Sequence, residues 1–373
     1  MSDDPELVVA GAGISGLALA AGLARAGSPY RLRLLDERPA LGSTGGAITL
    51  WPAALAALDR IGAGADVRAV GHRVGAGTIR THTGRTLRSL DPERTAAALG
   101  EAPLAVRRGL LVEILHARIA PATVTFGVAV HGYARGDDGV RVPTSQGMLT
   151  ARALVGADGY RSRVARALHP GLAERYAGYP AWRGLSRTPG LAAVQLWGAR
   201  QEFGVVPLGD EVAYWFATVR EPAGGAAGDE LAHLAGAFRG WPDPVARVLA
   251  GTSPEAVSRN DVLDRQPLRR WRDGPVVVIG DAAHPMRPHL GQGGGQALVD
   301  AALLASLLAG DRSAEEAFAA FEARRRRTAG CVVRASRAAA RTVEAPAAVH
   351  RLSALVPDAV LLRALAALGG SRS

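Results

Sequence analysis

The chain has 373 residues, of which 48% are hydrophobic, 21% charged and 5% aromatic. This length allows a large core, arranged as one continuous α/β domain or two interleaved ones, and the composition excludes a disordered chain. The 44 Lys and Arg residues are all arginines and outnumber the 34 acidic residues, for a net charge of +10. Such an excess can indicate binding to nucleic acid or acidic lipid. These arginines are scattered without a nucleic-acid motif, which favours a coding bias over such binding, so we expect no nucleic-acid partner.

Other features of the sequence limit where the protein can be located and which kinds of site it can contain. The single cysteine, Cys331, excludes an intrachain disulfide and a metal site built from several cysteines. The acidic start lacks the regions of a signal peptide, and no apolar run is long enough to span a bilayer. We therefore expect a cytoplasmic protein with no membrane partner. The run Arg324 to Arg327 points around most of a helical turn, which favours a solvated helix with one arginine turned to a neighbour.

The first predicted elements form a βαβ unit. Residues 6–10 have the pattern of a short buried strand, and a helix of small residues follows to about Ala26, ending at Gly27. Residues 31–35 alternate like a second strand and end at Asp36.

The later elements are of two kinds. Buried strands before glycine turns are predicted at residues 153–156 and 275–279, whereas residues 176–264 collect most of the Trp and Tyr residues, many prolines and antiparallel-type strands. The other predicted segments are a helix over 53–61, strands over 74–90, a helix over 110–119, a strand pair over 122–133, a helix from about Gly293 to Leu308 and further helices to the end. This order predicts a dinucleotide-binding α/β domain interrupted by insertions that form a mainly antiparallel second layer.

Gly11, Gly13 and Gly16 form the pattern G-x-G-x-x-G between the first strand and the first helix. Such glycines allow a tight turn and the close approach of a pyrophosphate to backbone N–H groups at the positive end of the helix dipole. Asp36 lies 20 residues beyond Gly16, at the end of the next strand, which strengthens the prediction of a dinucleotide site. We expect Asp36 to bind the ribose hydroxyls, with Glu37 as the alternative because strand ends are placed only approximately.

Two further motifs follow buried strands. The first of them is Asp158-Gly159, and the other runs from Gly280-Asp281 to His284 and is followed by the glycine-rich loop 291–295. A carboxylate at a strand end can hold sugar-like hydroxyls, and a glycine loop at a helix N-terminus presents free N–H groups to an anion. Reduced flavin becomes anionic at its N1–C2=O edge, so the loop suits an isoalloxazine ring.

In this order and spacing, the three motifs resemble those of the para-hydroxybenzoate hydroxylase-like family of FAD-dependent aromatic monooxygenases, in particular its salicylate hydroxylase, urate hydroxylase and zeaxanthin epoxidase branch. The segments 105–108, 181–184 and 214–216 add to this resemblance. It implies an α/β fold with a Rossmann-like FAD-binding domain of glutathione-reductase type, an interleaved, mainly antiparallel β substrate domain and C-terminal helices. We expect residues 1–72, 98–175 and 265–373 to form the first domain, and 73–97 and 176–264 the second.

The resemblance also implies a function. NAD(P)H would reduce non-covalently bound FAD, oxygen would form a flavin C4a-hydroperoxide, and one oxygen atom would hydroxylate or epoxidise a small aromatic or polyene substrate. The enzyme would be single-component, metal-free, and a monomer or homodimer, and NAD(P)H would bind transiently because a second dinucleotide fingerprint is absent from the sequence. A related FAD-dependent reductase or dehydrogenase, or a flavin-binding protein without activity, stays open as an alternative.

The resemblance assigns site residues position by position. The predicted FAD contacts are Gly11, Gly13, Ser15 and Gly16 at the pyrophosphate, Asp36 with Glu37 and Arg38 at the adenosine ribose, Arg108 before a helix, Val130 near adenine, Asp158 near FAD and the pyridine nucleotide, Asp281 at the ribityl chain, and Gly291, Gln292, Gly293 and Gly294 along the flavin ring. The chain departs from the family pattern at Asp36, where glutamate is usual, and in the flavin loop at Arg287, His289 and Gly295.

Two residues are candidates for the chemistry. Arg183 either polarises an anionic, phenol-like substrate or forms a structural ion pair, and Tyr214 either assists it or belongs to an apolar core strand. The histidines are not expected to be bases: His284 is interpreted as a structural hydrogen-bonding residue, and His72, His82 and His289 as surface or turn residues.

Overall fold

The computed structural model describes residues 6–42, 46–75, 77–225 and 227–368. Its strands, in chain order, are β1 (Glu6–Ala10), β2 (Arg31–Asp36), β3 (Ala47–Leu50), β4 (His72–Arg73), β5 (Gly77–Thr81), β6 (Thr86–Leu90), β7 (Leu104–Arg107), β8 (Val124–Phe126), β9 (Ala134–Gly136), β10 (Gly139–Thr144), β11 (Gly147–Ala151), β12 (Ala153–Gly156), β13 (Glu174–Ser186), β14 (Val194–Gly198), β15 (Gln201–Pro207), β16 (Ala213–Val219), β17 (Ser258–Arg265), β18 (Arg272–Asp273) and β19 (Val276–Val278).

The α-helices are α1 (Ile14–Ala26), α2 (Pro52–Ile61), α3 (Gly64–Val70), α4 (Pro92–Leu99), α5 (Arg108–His116), α6 (Arg163–Leu168), α7 (Glu230–Ala237), α8 (Val245–Ala250), α9 (Gly293–Leu308), α10 (Ala314–Val343), α11 (Ala347–Ser353) and α12 (Asp358–Leu368). Short 3-10 turns lie at Pro121–Thr123, Pro254–Ala256, Gly280–Ala282 and Pro288–Leu290. None of the helices in the described ranges has the length and hydropathy needed to cross a membrane.

A six-stranded sheet in the order β18-β19-β12-β1-β2-β8 forms the first layer, parallel except at the edge strand β18. The last four residues of the central strand β1 are apolar and fully buried, because helices pack on a parallel sheet from both sides. Helix α1 packs on α9, and its ten consecutive buried residues have mostly small side chains. A Cβ atom on Gly22 would lie 2.8 Å from the Cβ of Ala305, so glycine sets how closely these helices approach.

The topology of this sheet brings the three motifs together. Each motif lies at the carboxyl end of a parallel strand: residues 11–13 follow β1, 36–38 begin at the last residue of β2, 157–159 follow β12, and 280–284 come one residue after β19. In parallel strands, the carboxyl ends lie at the same edge of the sheet, where open α/β sheets bind their ligands. The register confirms the alignment, since Ala10 pairs with Gly156, which in turn pairs with Val278.

A seven-stranded sheet in the order β17-β13-β16-β15-β14-β5-β6 forms the second layer, antiparallel except for the β14–β5 pair. Because side chains alternate along a strand, each face has its own character. One face buries Trp182, Phe203 and Trp215 in an apolar core with residues of α7 and α8. The opposite face presents Arg183, Tyr214 and their same-face neighbours. Two small antiparallel sheets, β11-β10-β9 and β3-β7-β4, complete the strands.

The predicted fold class, with its parallel dinucleotide-type layer, antiparallel layer and C-terminal helices, is confirmed. The strand pair expected over residues 122–133 is wrong. Only β8 forms there, and Val130 makes a single isolated bridge to Thr144. Gly127 and Gly132 both adopt positive φ angles, +74° and +143°, which interrupt extended pairing. The helix expected from Leu110 begins two residues earlier, at Arg108. The domain boundaries stay a prediction.

Candidate functional site

The loop between β1 and α1 requires glycine at two positions. Gly11 has a φ of +101°, and a Cβ atom there would lie 2.5 Å from the carbonyl oxygen of Ala157. A Cβ atom on Gly16 would lie only 1.9 Å from the carbonyl oxygen of Gly11. At Gly13, by contrast, a Cβ atom would meet no atom within 4 Å. The loop therefore leaves open space at the start of α1, where no side chain caps the backbone N–H groups, and this cradle fits a pyrophosphate.

Asp36 lies at the end of β2 and is 5% exposed. Its carboxylate accepts hydrogen bonds from the backbone N–H of Ala12 at 2.6 Å, the backbone N–H of Arg38 at 2.9 Å, and two side-chain nitrogens of Arg38 at 2.8 Å each. Burial raises the pKa of Asp36, but these hydrogen bonds outweigh it and bring the pKa below the usual value. The acceptor sites of the carboxylate are thus occupied by the glycine loop and Arg38. Ribose binding by Asp36, or by the exposed neighbour Glu37, stays a prediction.

Ser15 and Asp158 lie beside the glycine loop. Ser15 is 9% exposed, and a Cβ atom on Gly280 would lie 2.2 Å from its hydroxyl oxygen, so the first and third motifs are in contact. Asp158 accepts hydrogen bonds from the backbone N–H groups of Arg163 and Val164 at 2.8 and 3.3 Å, which holds the start of α6. Its other carboxylate oxygen is buried and has no hydrogen-bond partner in the described ranges, and burial raises the pKa of Asp158. That oxygen is the part of Asp158 free to act at a ligand.

Four polar side chains converge where the two layers face each other. Burial lowers the pKa of Arg108, Asp281 opposes this effect, and Arg183 adds to it. Burial also raises the pKa of Tyr214, while Arg183 opposes that rise through its charge and through hydrogen bonding to the hydroxyl. The backbone of Gly46 contacts two of these four residues. Its carbonyl oxygen accepts a hydrogen bond from the backbone N–H of Arg108 at 3.1 Å, and the Tyr214 ring packs against its Cα atom. These residues, predicted as cofactor and substrate contacts, therefore share one site.

The glycine loop before α9 forms the far wall of this site. Gly291 adopts the left-handed conformation, with a φ of +58°. A Cβ atom on Gly294 would lie 2.2 Å from Cδ1 of Ile48, so the end of the Ile48 side chain packs directly against this loop. Gln292 is 3% exposed, and its buried side-chain Nε2 has no hydrogen-bond partner among the residues that the structure describes. A Cβ atom on Gly293 would lie 3.9 Å from a carboxylate oxygen of Asp281. The uncapped N–H groups of α9 and the free amide suit an acceptor-rich, electron-accepting ring.

A buried ionic network supports this loop from behind. Asp300 accepts hydrogen bonds from the backbone N–H of Gly280 at 2.9 Å, from Nε2 of His284 at 2.5 Å and from Nε of Arg325 at 2.6 Å. Burial raises the pKa of Asp300, but His284 and Arg325 outweigh it and hold the pKa at about 2. The structural interpretation of His284 is thus confirmed. So is the expectation that one arginine of the 324–327 run turns inward, since Arg325 is 6% exposed.

The interpretation of His289 as a surface residue is wrong. It does lie in the turn Pro288–Leu290, but its side chain is 1% exposed. Its ring packs edge-on against Tyr179, and its Nε2 lies 3.5 Å from a carboxylate oxygen of Glu202, which is also 1% exposed. Sequence reasoning missed Glu202. Its position directly before Phe203, which faces the apolar core, shows only that its side chain points to the other face of the sheet.

Val130 is a predicted contact outside the three glycine and aspartate motifs. It follows β8, the last strand of the parallel layer, and is 8% exposed. Its pairing with Thr144 ties it to the small β11-β10-β9 sheet. A role near adenine stays a prediction.

Comparison with known proteins adds four findings. A family model described as "FAD binding domain" matches residues 4–336. An aurachin C monooxygenase/isomerase of Stigmatella aurantiaca is 35% identical over 323 residues, covering 85% of this chain and 84% of the relative. A 6-hydroxynicotinate 3-monooxygenase of Bordetella bronchiseptica is 30% identical over 355 residues, covering 90% and 91%. The solved structure of Klebsiella pneumoniae HpxO with FAD and uric acid aligns over 100% of this chain and 99% of that one, with a TM-score of 0.90 and 25% identity.

Proposed function

Because this chain belongs to the family of FAD-dependent monooxygenases, we propose that it uses NAD(P)H and O2 to hydroxylate a small, electron-rich aromatic substrate. The resemblance drawn from the three motifs is confirmed, and FAD is the cofactor. The observation that supports the reaction best is the convergence of Arg108, Arg183, Tyr214 and Asp281 between the two layers.

The residues present fit FAD. Bound FAD supplies the redox chemistry, namely acceptance of a hydride and activation of oxygen. The open space at Gly13 and the free N–H groups of α1 would hold the pyrophosphate, and Asp281 would accept hydrogen bonds from the ribityl hydroxyls. The amide of Gln292 and the N–H groups at the start of α9 would stabilise negative charge on the ring edge. We propose non-covalent attachment, since these contacts are all polar.

Arg183 and Tyr214 would act on the substrate. Arg183 extends from β13 on the face that opposes the flavin loop. A cation there would position and polarise an anionic oxygen substituent on the aromatic ring of the substrate. Tyr214 would be a neutral hydrogen-bond donor, because burial raises the pKa of its hydroxyl. The substrates in the relatives' names, 6-hydroxynicotinate and urate, are nitrogen heterocycles that carry hydroxyl or carbonyl oxygens as ring substituents. We extend this class of small oxygenated aromatic compounds to the present chain. We further propose a cytoplasmic monomer or homodimer.

Oxidation of NADH and NADPH, measured together with oxygen uptake, tests this proposal. The purified FAD-loaded protein is mixed with a phenol, 6-hydroxynicotinate, urate, 4-quinolone or a carotenoid. We expect at least one ring compound to stimulate both activities in step and to gain an oxygen atom. Stimulation by the carotenoid alone would indicate epoxidation. NAD(P)H oxidation without oxygenated product would indicate a reductase, and FAD binding without any oxidation would indicate a binding protein.

A further inference from the structure

The sheet face that carries Arg183 also carries a buried carboxyl group. Across the paired strands, Arg183 lies opposite Phe216, which lies opposite Gly204, and Glu202 is two residues further along β15 on the same face. Strand spacing and rise place the Cα atoms of Glu202 and Arg183 roughly 12 Å apart. The Phe216 ring covers Gly204 between them, since a Cβ atom on Gly204 would lie 2.1 Å from Cζ of that ring. An apolar floor is therefore flanked by a cation at one end and a carboxyl group at the other.

Glu202 is not neutralised by a strong cation. The amide of Gln195 donates a hydrogen bond to one carboxyl oxygen, and Nε2 of His289 lies 3.5 Å from the other. Among the described residues, no arginine forms an ion pair with it. Burial raises the pKa of Glu202 to about 7, and Glu344 adds to the rise. Burial and Arg287 lower the pKa of His289 to about 4. Glu202 therefore changes charge near neutral pH opposite an uncharged imidazole.

Within the described part of the chain, several polar atoms around Glu202 have no hydrogen-bond partner. They are both ring nitrogens of His289 and Nε1 of Trp197, all buried, and Trp197 lies on the same sheet face in the neighbouring strand. An unsatisfied buried donor or acceptor typically costs about 1–3 kcal/mol. In a Glu–His pair with a structural role, by contrast, the two side chains hydrogen-bond each other, as Glu221 and His233 do at 2.7 Å outside this face. The polar end of the face is thus complementary to a ligand that brings its own hydrogen-bonding groups.

We propose that Glu202 is a specificity-determining residue of the substrate pocket: its carboxyl group accepts a hydrogen bond from an N–H or O–H group on the ring of a heteroaromatic substrate. Arg183 then meets the oxygenated edge of the same ring, and Phe216 supports its face. This inference rests on the proposed function, because it takes this sheet face as the substrate wall. The adjacent charged and titratable groups, His289, Tyr179, Arg287 and Glu344, complete the polar surroundings.

Matched ligand pairs test the assignment. The FAD-loaded protein is titrated with 6-hydroxynicotinate and with 4-quinolone, each alongside its N-methyl derivative, and the dissociation constants are read from the flavin absorbance change. Loss of one hydrogen bond to the carboxyl group should weaken binding of the N-methyl compounds by about 10- to 100-fold in the wild type. Binding of the N–H compounds should strengthen from about pH 6 to about pH 8, as Glu202 ionises around a pKa of about 7.

Two variants and a control separate the outcomes. Glu202→Met should remove the N–H preference, Glu202→Gln should keep part of it but abolish its pH dependence, and Glu221→Met should change neither. Thermal unfolding and the flavin spectrum report whether each variant folds. If folded Glu202→Met keeps the preference for N–H compounds while the probes are still turned over, the role of Glu202 is overturned and the proposed function stands. Should the wild type neither bind nor turn over any ring compound, the proposed function falls as well.

Discussion

Replacing Gly13 with alanine separates cofactor binding from folding. Gly13 has ordinary extended backbone, with φ −85° and ψ −169°, and an added Cβ atom meets nothing within 4 Å, so the apoprotein should keep its stability to within about 0.5 kcal/mol. The same methyl group enters the space that the pyrophosphate would occupy. Loss of one or two charge-assisted hydrogen bonds, each about 1.5–3 kcal/mol, should weaken FAD binding by at least about 10- to 100-fold.

Gly16 provides the matched control, because a Cβ atom there would overlap the Gly11 carbonyl oxygen at 1.9 Å. Gly16→Ala should lower the stability of the apoprotein itself, by about 1–3 kcal/mol or more. The assay combines thermal unfolding of both apoproteins with FAD titration followed by flavin fluorescence. Normal FAD affinity in Gly13→Ala would refute the placement of the pyrophosphate at this loop.

The remaining predictions concern the residues around the flavin loop. Asp300→Asn leaves Arg325, whose side chain is 7% exposed, as an unpaired buried charge and should cost about 3–5 kcal/mol in chemical denaturation. Because the folded pKa of Asp300 is lowered to about 2, its contribution should be full above the unfolded pKa of about 3.8 and lost as the pH falls through about 2, which acid denaturation measures. Asp281→Ala should weaken FAD binding about 10- to 100-fold by the same titration. Arg183→Lys should keep the flavin spectrum but lower coupled turnover about 100-fold, since a point charge does not replace a planar fork; near-normal turnover would make Arg183 structural.

The parallel layer could be predicted from the sequence because its signals are local. The run from Glu6 to Ala10, the glycines after it and the cap at Gly27 each determine their own geometry, and α9 begins and ends at the predicted residues, Gly293 and Leu308. Because all three motifs lie at the carboxyl ends of parallel strands, they are then expected at one edge of the sheet without further information. The convergence of predicted cofactor and substrate residues follows from this topology.

What the sequence could not show depends on contacts between distant segments. A charged residue inside β15 has the pattern of a solvent-facing position, but Glu202 is buried where Gln195 and the turn that carries His289 lie beside its carboxyl group. Asp36 fits the ribose-binding pattern, yet its bonds to Ala12 and Arg38 are visible only in three dimensions. The failed strand pair at 122–133 reflects two glycine conformations, which apolar alternation does not report.

Isotope labelling tests the central claim, monooxygenation, most directly. The FAD-loaded protein is supplied with NAD(P)H under 18O2, together with whichever probe compound stimulates oxygen uptake most, and the product is analysed by mass spectrometry. If the chain is a monooxygenase, one labelled oxygen atom per product molecule should come from O2, and none should come from labelled water. Stimulated NAD(P)H oxidation with hydrogen peroxide as the only oxygen product, or a product labelled from water, would contradict the account.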